Sequence, residues 1–114
     1  MNTVAEFKRA LKPGVMIGTI AHQKKFIGRN EKQVPMYEPE ELKPAKVSIV
    51  QSTQFAVERE MKDGTKRDSW CKFPKASQSI FKDGRVTILE EDLRTGSDTQ
   101  GQLIPILTYW IEAN

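Results

Sequence analysis

A chain of 114 residues fits one domain, taken as 1–114, and no more. Its 38% hydrophobic and 29% charged residues are ordinary for a globular protein and exclude global disorder. One cysteine, Cys71, excludes an intramolecular disulfide, and a net charge of +3 permits a polyanion partner without demanding one.

The charge is uneven along the chain. Residues 1–32 sum to +5 and residues 63–85 to +3, against −1 for 33–62 and −4 for 86–114. Met1–Lys12 has no apolar run of signal-peptide length, and the stretches around 47–50 and 103–111 are too short to span a bilayer. The expected setting is therefore cytoplasmic, with no membrane partner.

The first predicted element is a helix over 3–12. Thr3 and Glu6 have capping-box spacing, Val4, Phe7 and Leu11 share one face, and Lys12-Pro13-Gly14 ends it. So short a helix must dock on something else. A first strand follows over 15–27, with Lys24–Ile27 either extending it or starting another. Residues 28–45 read as a long polar loop because Pro35, Pro39 and Pro44 punctuate them, with room for a short strand at Val34–Tyr37.

The strongest β pattern runs from Lys46 to Phe73. Phe55, Val57, Arg59 and Met61 alternate with Ala56, Glu58 and Glu60, and Asp63-Gly64 supplies a hairpin turn. Asp83-Gly84 supplies a second, and Pro74-Lys75-Ala76-Ser77 breaks the ladder between them. A polar loop over 91–102 precedes a closing strand, Leu103–Ile111, in which Pro105 belongs at the start or on an edge. The expected fold is mainly β (α+β): five to six strands over 15–27 and 46–111, with one short N-terminal helix. They form either a small antiparallel, strongly bent sheet or an SH3-like or OB-like barrel.

Catalytic chemistry has little to stand on. One His (His22) and one Cys (Cys71) do not make a zinc site, and no Gly-rich turn marks Cys71 as a nucleophile. The acids at Glu40-Glu41 and Glu90-Glu91-Asp92 are adjacent and point to opposite faces of a strand; Glu58 and Glu60 share a face that reads as solvent-facing. The glycines are isolated, so there is no phosphate loop. The expectation is no catalytic residue, no metal, no cofactor and no enzymatic activity.

Two basic and aromatic sets remain: His22, Lys24, Lys25, Phe26 and Arg29, and then Lys66, Arg67, Trp70, Lys72, Phe73 and Lys75. Rings interleaved with cations on a small barrel can stack bases and track phosphates. In a domain this small, the favoured reading places Phe26, Trp70 and Phe73 in the core, with the cations keeping strand edges soluble. The candidate binding residues are Lys24, Lys25, Arg29, Trp70, Lys72, Phe73 and Lys75. Trp70 and Trp110 are alternatively part of a protein-binding patch.

The pattern Val47-Ser48-Ile49-Val50-Gln51-Ser52, Phe55-Ala56, Asp68-Ser69-Trp70 and Phe73-Pro74-Lys75-Ala76-Ser77, with Val4, Phe7, Leu11 and Gly14 before it, resembles a group of small phage and prophage proteins. The resemblance covers the helix and the central hairpin and carries over no functional residue. It implies a setting in which small domains without an active site bind something of the host. The expected function is a binding module for a host or phage protein; the alternative is a nucleic-acid-binding small barrel. One continuous basic face with an exposed ring would favour nucleic acid, and an apolar patch or free strand edge a protein.

Overall fold

The computed structural model describes residues 3–112. Helix α1 (Val4–Ala10) is followed by seven strands: β1 (Met16–Arg29), β2 (Pro35–Val50), β3 (Gln54–Glu60), β4 (Lys66–Lys72), β5 (Ser79–Lys82), β6 (Arg85–Glu91) and β7 (Leu103–Ile111). They make one antiparallel sheet in the order β4-β3-β2-β1-β7-β6-β5. The mainly β class with one short helix is as expected, but the described residues form seven strands rather than five to six. The sheet also does not close into a barrel, because β4 and β5 end it without pairing to each other.

The sheet is nonetheless strongly bent. Three strand spacings separate β3 from β7, about 14 Å in a flat sheet, yet the rings of Phe55 and Tyr109 lie 5.4 Å apart. Curvature wraps the inner face around α1, whose Phe7 stacks 5.1 Å from Tyr109 and 6.5 Å from Phe55. Cys71 and Phe81, from the two end strands, pack against the same core with Ile17, Val47, Val57 and Val86. Thr3 caps the helix by accepting from the Glu6 amide at 3.1 Å. Lys8 donates to the Ser52 carbonyl and stands 5.2 Å over Phe73, pinning α1 to the end of the central hairpin.

Both Asp-Gly turns form. Asp83 and Gly84 take φ of 53° and 75°, the left-handed pair that a two-residue hairpin between Lys82 and Arg85 requires. Gly18 has a different reason. On the outer face the Trp110 indole lies across it, and a Cβ there would stand 2.2 Å from the ring.

The largest departure from expectation is at 28–45. No long loop exists there: only residues 30–34 turn, and Pro35–Val50 is one strand paired along β1 from Arg29↔Pro35 to Met16↔Lys46. Prolines cannot donate to a ladder, and that read as a loop. A proline is tolerated where one side of the strand is an edge, and β2 meets β3 only from Lys46 onward. Pro35, Pro39 and Pro44 therefore all lie where β2 lacks a neighbour on its β3 side. Pro105 uses the same device, because β1 pairs with β7 only over Leu107–Ile111.

Past Ala21, β1 has no partner but β2, so Lys25–Arg29 and Pro35–Glu38 form a two-stranded ribbon projecting from the sheet. The loop 92–102 clasps it. Arg94 donates to the Pro35 carbonyl at 2.7 Å, and Asn30 to the Gly96 carbonyl at 2.9 Å.

Candidate functional site

The seven residues expected to bind fall into two separate places. Lys24, Lys25 and Arg29 lie on the distal half of β1. Trp70 and Lys72 lie on β4, Phe73 just after it, and Lys75 before the 3-10 turn Ala76–Gln78. Lys25 is level with Glu38, whereas Lys72 pairs with Gln54, beyond the Val50↔Phe55 pair. Glu38 and Val50 are separated by about 40 Å of strand. No single face gathers all seven.

Their individual surroundings divide them further. Lys25 is engaged by Glu38 at 2.9 Å, which raises its pKa. Arg29 donates to the Gln33 carbonyl at 2.9 Å and stands 6.0 Å over Phe26. Phe73 is half-buried and 5.3 Å from Phe55, as the core reading expected. Phe26 and Trp70 are not core: they are 54% and 44% exposed. Trp70 faces outward in a short apolar row with Ala56 and Ile49 across β3 and β2. Trp110 is also on the outer face, with Arg85 4.0 Å above its ring.

Midway along the ribbon, Phe26 and Tyr37 are register partners with rings 6.0 Å apart, and Ile27 shares a hollow with Tyr37. Ile27 and Tyr37 are 51% and 37% exposed. At the turn end of the ribbon, Asp92 organises the clasp. Its carboxylate, almost wholly buried, accepts from Arg94 Nε and Nη2 at 2.9 and 3.0 Å, Ser97 Oγ at 2.5 Å and Thr99 Oγ1 at 2.6 Å. These donors, Arg94 first, hold the Asp92 carboxyl well below the usual range. Asp92 was readable only as one of three consecutive acids.

A second feature was not visible in the sequence. The β2–β3 ladder stops at Lys46↔Glu58, while β3 runs on with β4 to Glu60↔Lys66 and β2 runs on with β1. Where the strands part lies a cleft of about 720 Å³. Lys24, Lys43, Lys46, Arg59, Lys62 and Lys66 line it, against only Glu58 and Glu60. Arg59 spans the apex, donating to the Lys43 carbonyl at 3.2 Å and to Thr19 Oγ1 at 3.1 Å. Burial lowers its pKa, and no carboxylate pairs with it among the described residues. Of the lysines here only Lys66 has an acid partner among those residues, Glu58 at 3.3 Å. Lys24 and Lys66 were singled out in the sequence, in separate sets; the others are scattered from 43 to 62, and all meet only through the parting of the strands.

Cys71 packs inward against the core and burial raises its thiol pKa, so it behaves as an apolar residue. His22 points outward, 2.7 Å from Thr108 Oγ1, and burial lowers its pKa. No hydrogen bond joins the two. Among the described residues no three His, Cys, Asp or Glu side chains are placed to share a metal ion, and no helix is long and apolar enough to cross a membrane. The architecture is that of an open, strongly bent antiparallel sheet folded around a short helix. No family model, no curated protein and no solved structure matches the chain.

Proposed function

We propose that the chain is a non-enzymatic accessory protein of phage or prophage type that acts in the cytoplasm by binding a host or phage protein. The observation that carries the reading is the apolar surface of the ribbon. Three large apolar side chains, Phe26, Ile27 and Tyr37, project into solvent on a two-stranded ribbon that the 92–102 loop holds in place. Exposed apolar groups on a braced projection suit a protein partner, because the ordering cost of binding is already met. The phage-type resemblance supplies the setting.

The nucleic-acid reading has the cleft's lysines in its favour. Against it, no ring lines the cleft, and of the cations beside the exposed Phe26–Tyr37 pair Lys25 is taken up by Glu38 and Arg29 by the Gln33 carbonyl. Base stacking needs rings within reach of the same cations.

The test is affinity capture from host lysate with the wild type and a Phe26→Ser/Tyr37→Ser variant. Both residues are exposed, so the variant keeps its fold within about 0.5 kcal/mol. A protein held by the wild type and lost by the variant is the expected outcome. Retention that nuclease abolishes, or that the variant leaves unchanged, would overturn the reading.

A further inference from the structure

We infer that the cleft between the parting strands β2 and β3 is a docking site for an acidic peptide segment carrying aliphatic side chains. The inference takes its partner class from the protein-binding reading above, but it rests on a different site.

Charge sets the first half of the ligand's chemistry. Six cations and two carboxylates line the cleft, and Arg59 at its apex is half-buried without a carboxylate partner among the described residues. A cation held away from bulk water gains more from an opposite charge than a surface lysine does. Lys43, Lys46 and Lys62 are exposed and add a field that draws anions toward that apex.

The rest of the lining sets the second half. Met16, Leu42, Ala45 and Met61 supply aliphatic and thioether surface, and no aromatic ring takes part. Methionine adapts to irregular aliphatic shapes, whereas a nucleobase would find no stacking platform. The peptide binds through its side chains rather than as an added strand. Pro44 offers no donor, and Arg59 already occupies the Lys43 carbonyl.

The experiment is fluorescence anisotropy with a short labelled peptide alternating Glu and Leu. Comparison probes are its Ser-for-Leu and Lys-for-Glu counterparts and a labelled oligothymidylate, each at low and physiological salt. The Glu/Leu peptide binds, more weakly as salt rises, and the Ser-for-Leu and Lys-for-Glu versions bind less well or not at all. The Lys43→Glu/Lys62→Glu variant, both positions exposed, keeps its circular dichroism and loses affinity about tenfold. The inference is overturned if the peptide fails to bind, if the double variant binds it unchanged, or if oligothymidylate displaces it. Failure here with capture still dependent on Phe26 and Tyr37 removes the cleft site and leaves the protein-binding reading standing.

Discussion

The curved body of the sheet and the ribbon that projects from it are held by different physics. In the body, Phe7, Phe55, Val57, Val86 and Tyr109 are sealed from solvent around one helix. In the ribbon and its turn Val34 is the one buried large apolar side chain among the described residues, and the bracing is polar: Asp92 through Arg94 to Pro35, and Asn30 to Gly96. Apolar burial is non-directional and strong, so it can hold the fold as a whole. A hydrogen-bonded clasp is directional and weaker, so it can fix the attitude of a projection without governing global stability. The exposed rings that a partner would meet sit on the second kind of structure.

The largest effect expected from this difference is in the body. Phe55→Ala removes a ring in contact with Phe7, Phe73 and Tyr109, and urea unfolding should show a loss of about 4 kcal/mol. That is a large part of the 5–15 kcal/mol, roughly, that holds a domain of this kind. A loss below about 1 kcal/mol would mean that the body does not depend on its aromatic centre, and the contrast between the two regions would collapse.

The same contrast explains what was legible in the sequence. Phe7, Phe55 and Val57 announced themselves through periodicity, and the Asp63-Gly64 and Asp83-Gly84 turns through conformational preference. These signals are local, and the structure follows them. Residues 28–45 failed because local rules treat proline as a loop signal, while its tolerance on an edge depends on which strand lies alongside. Phe26 and Trp70 were expected in the core on size alone; an exposed ring has no local signature. The cleft's cations come from four strand segments and the turn after β3, and only the point where β2 and β3 separate makes them neighbours. The closed barrel was not decidable either, since closure depends on whether β4 and β5 meet, which no residue in either strand declares.

The ribbon should respond to its clasp while the body does not. Asp92→Asn keeps the side chain's shape but removes the charge that Arg94, Ser97 and Thr99 converge on. Amide protection measured by hydrogen exchange should fall over 25–38 and stay unchanged over 55–57 and 107–111. The pH dependence follows from the lowered pKa. A carboxyl that ionises more readily folded than unfolded stabilises the clasp fully above its unfolded value, about 4, and the contribution is lost as pH falls toward the folded value. Wild-type ribbon protection should decline in acid and the Asn variant's should be flat. Equal loss of protection throughout the chain would show that ribbon and body open as one unit.

The smallest effect sharpens the comparison from the body's side. The Tyr109 hydroxyl is buried without a hydrogen-bond partner among the described residues, and burial raises its pKa above the ordinary tyrosine value. An unsatisfied buried hydroxyl costs free energy that a phenyl ring of the same shape does not. Tyr109→Phe should therefore raise the urea midpoint by the equivalent of about 1 kcal/mol with no change in slope. A body held by apolar packing gains from losing that oxygen. If the variant is instead less stable, the hydroxyl has a polar partner and the centre of the sheet shares the logic of the clasp. In that case the division between an apolar body and a hydrogen-bonded ribbon would have to be redrawn at Tyr109.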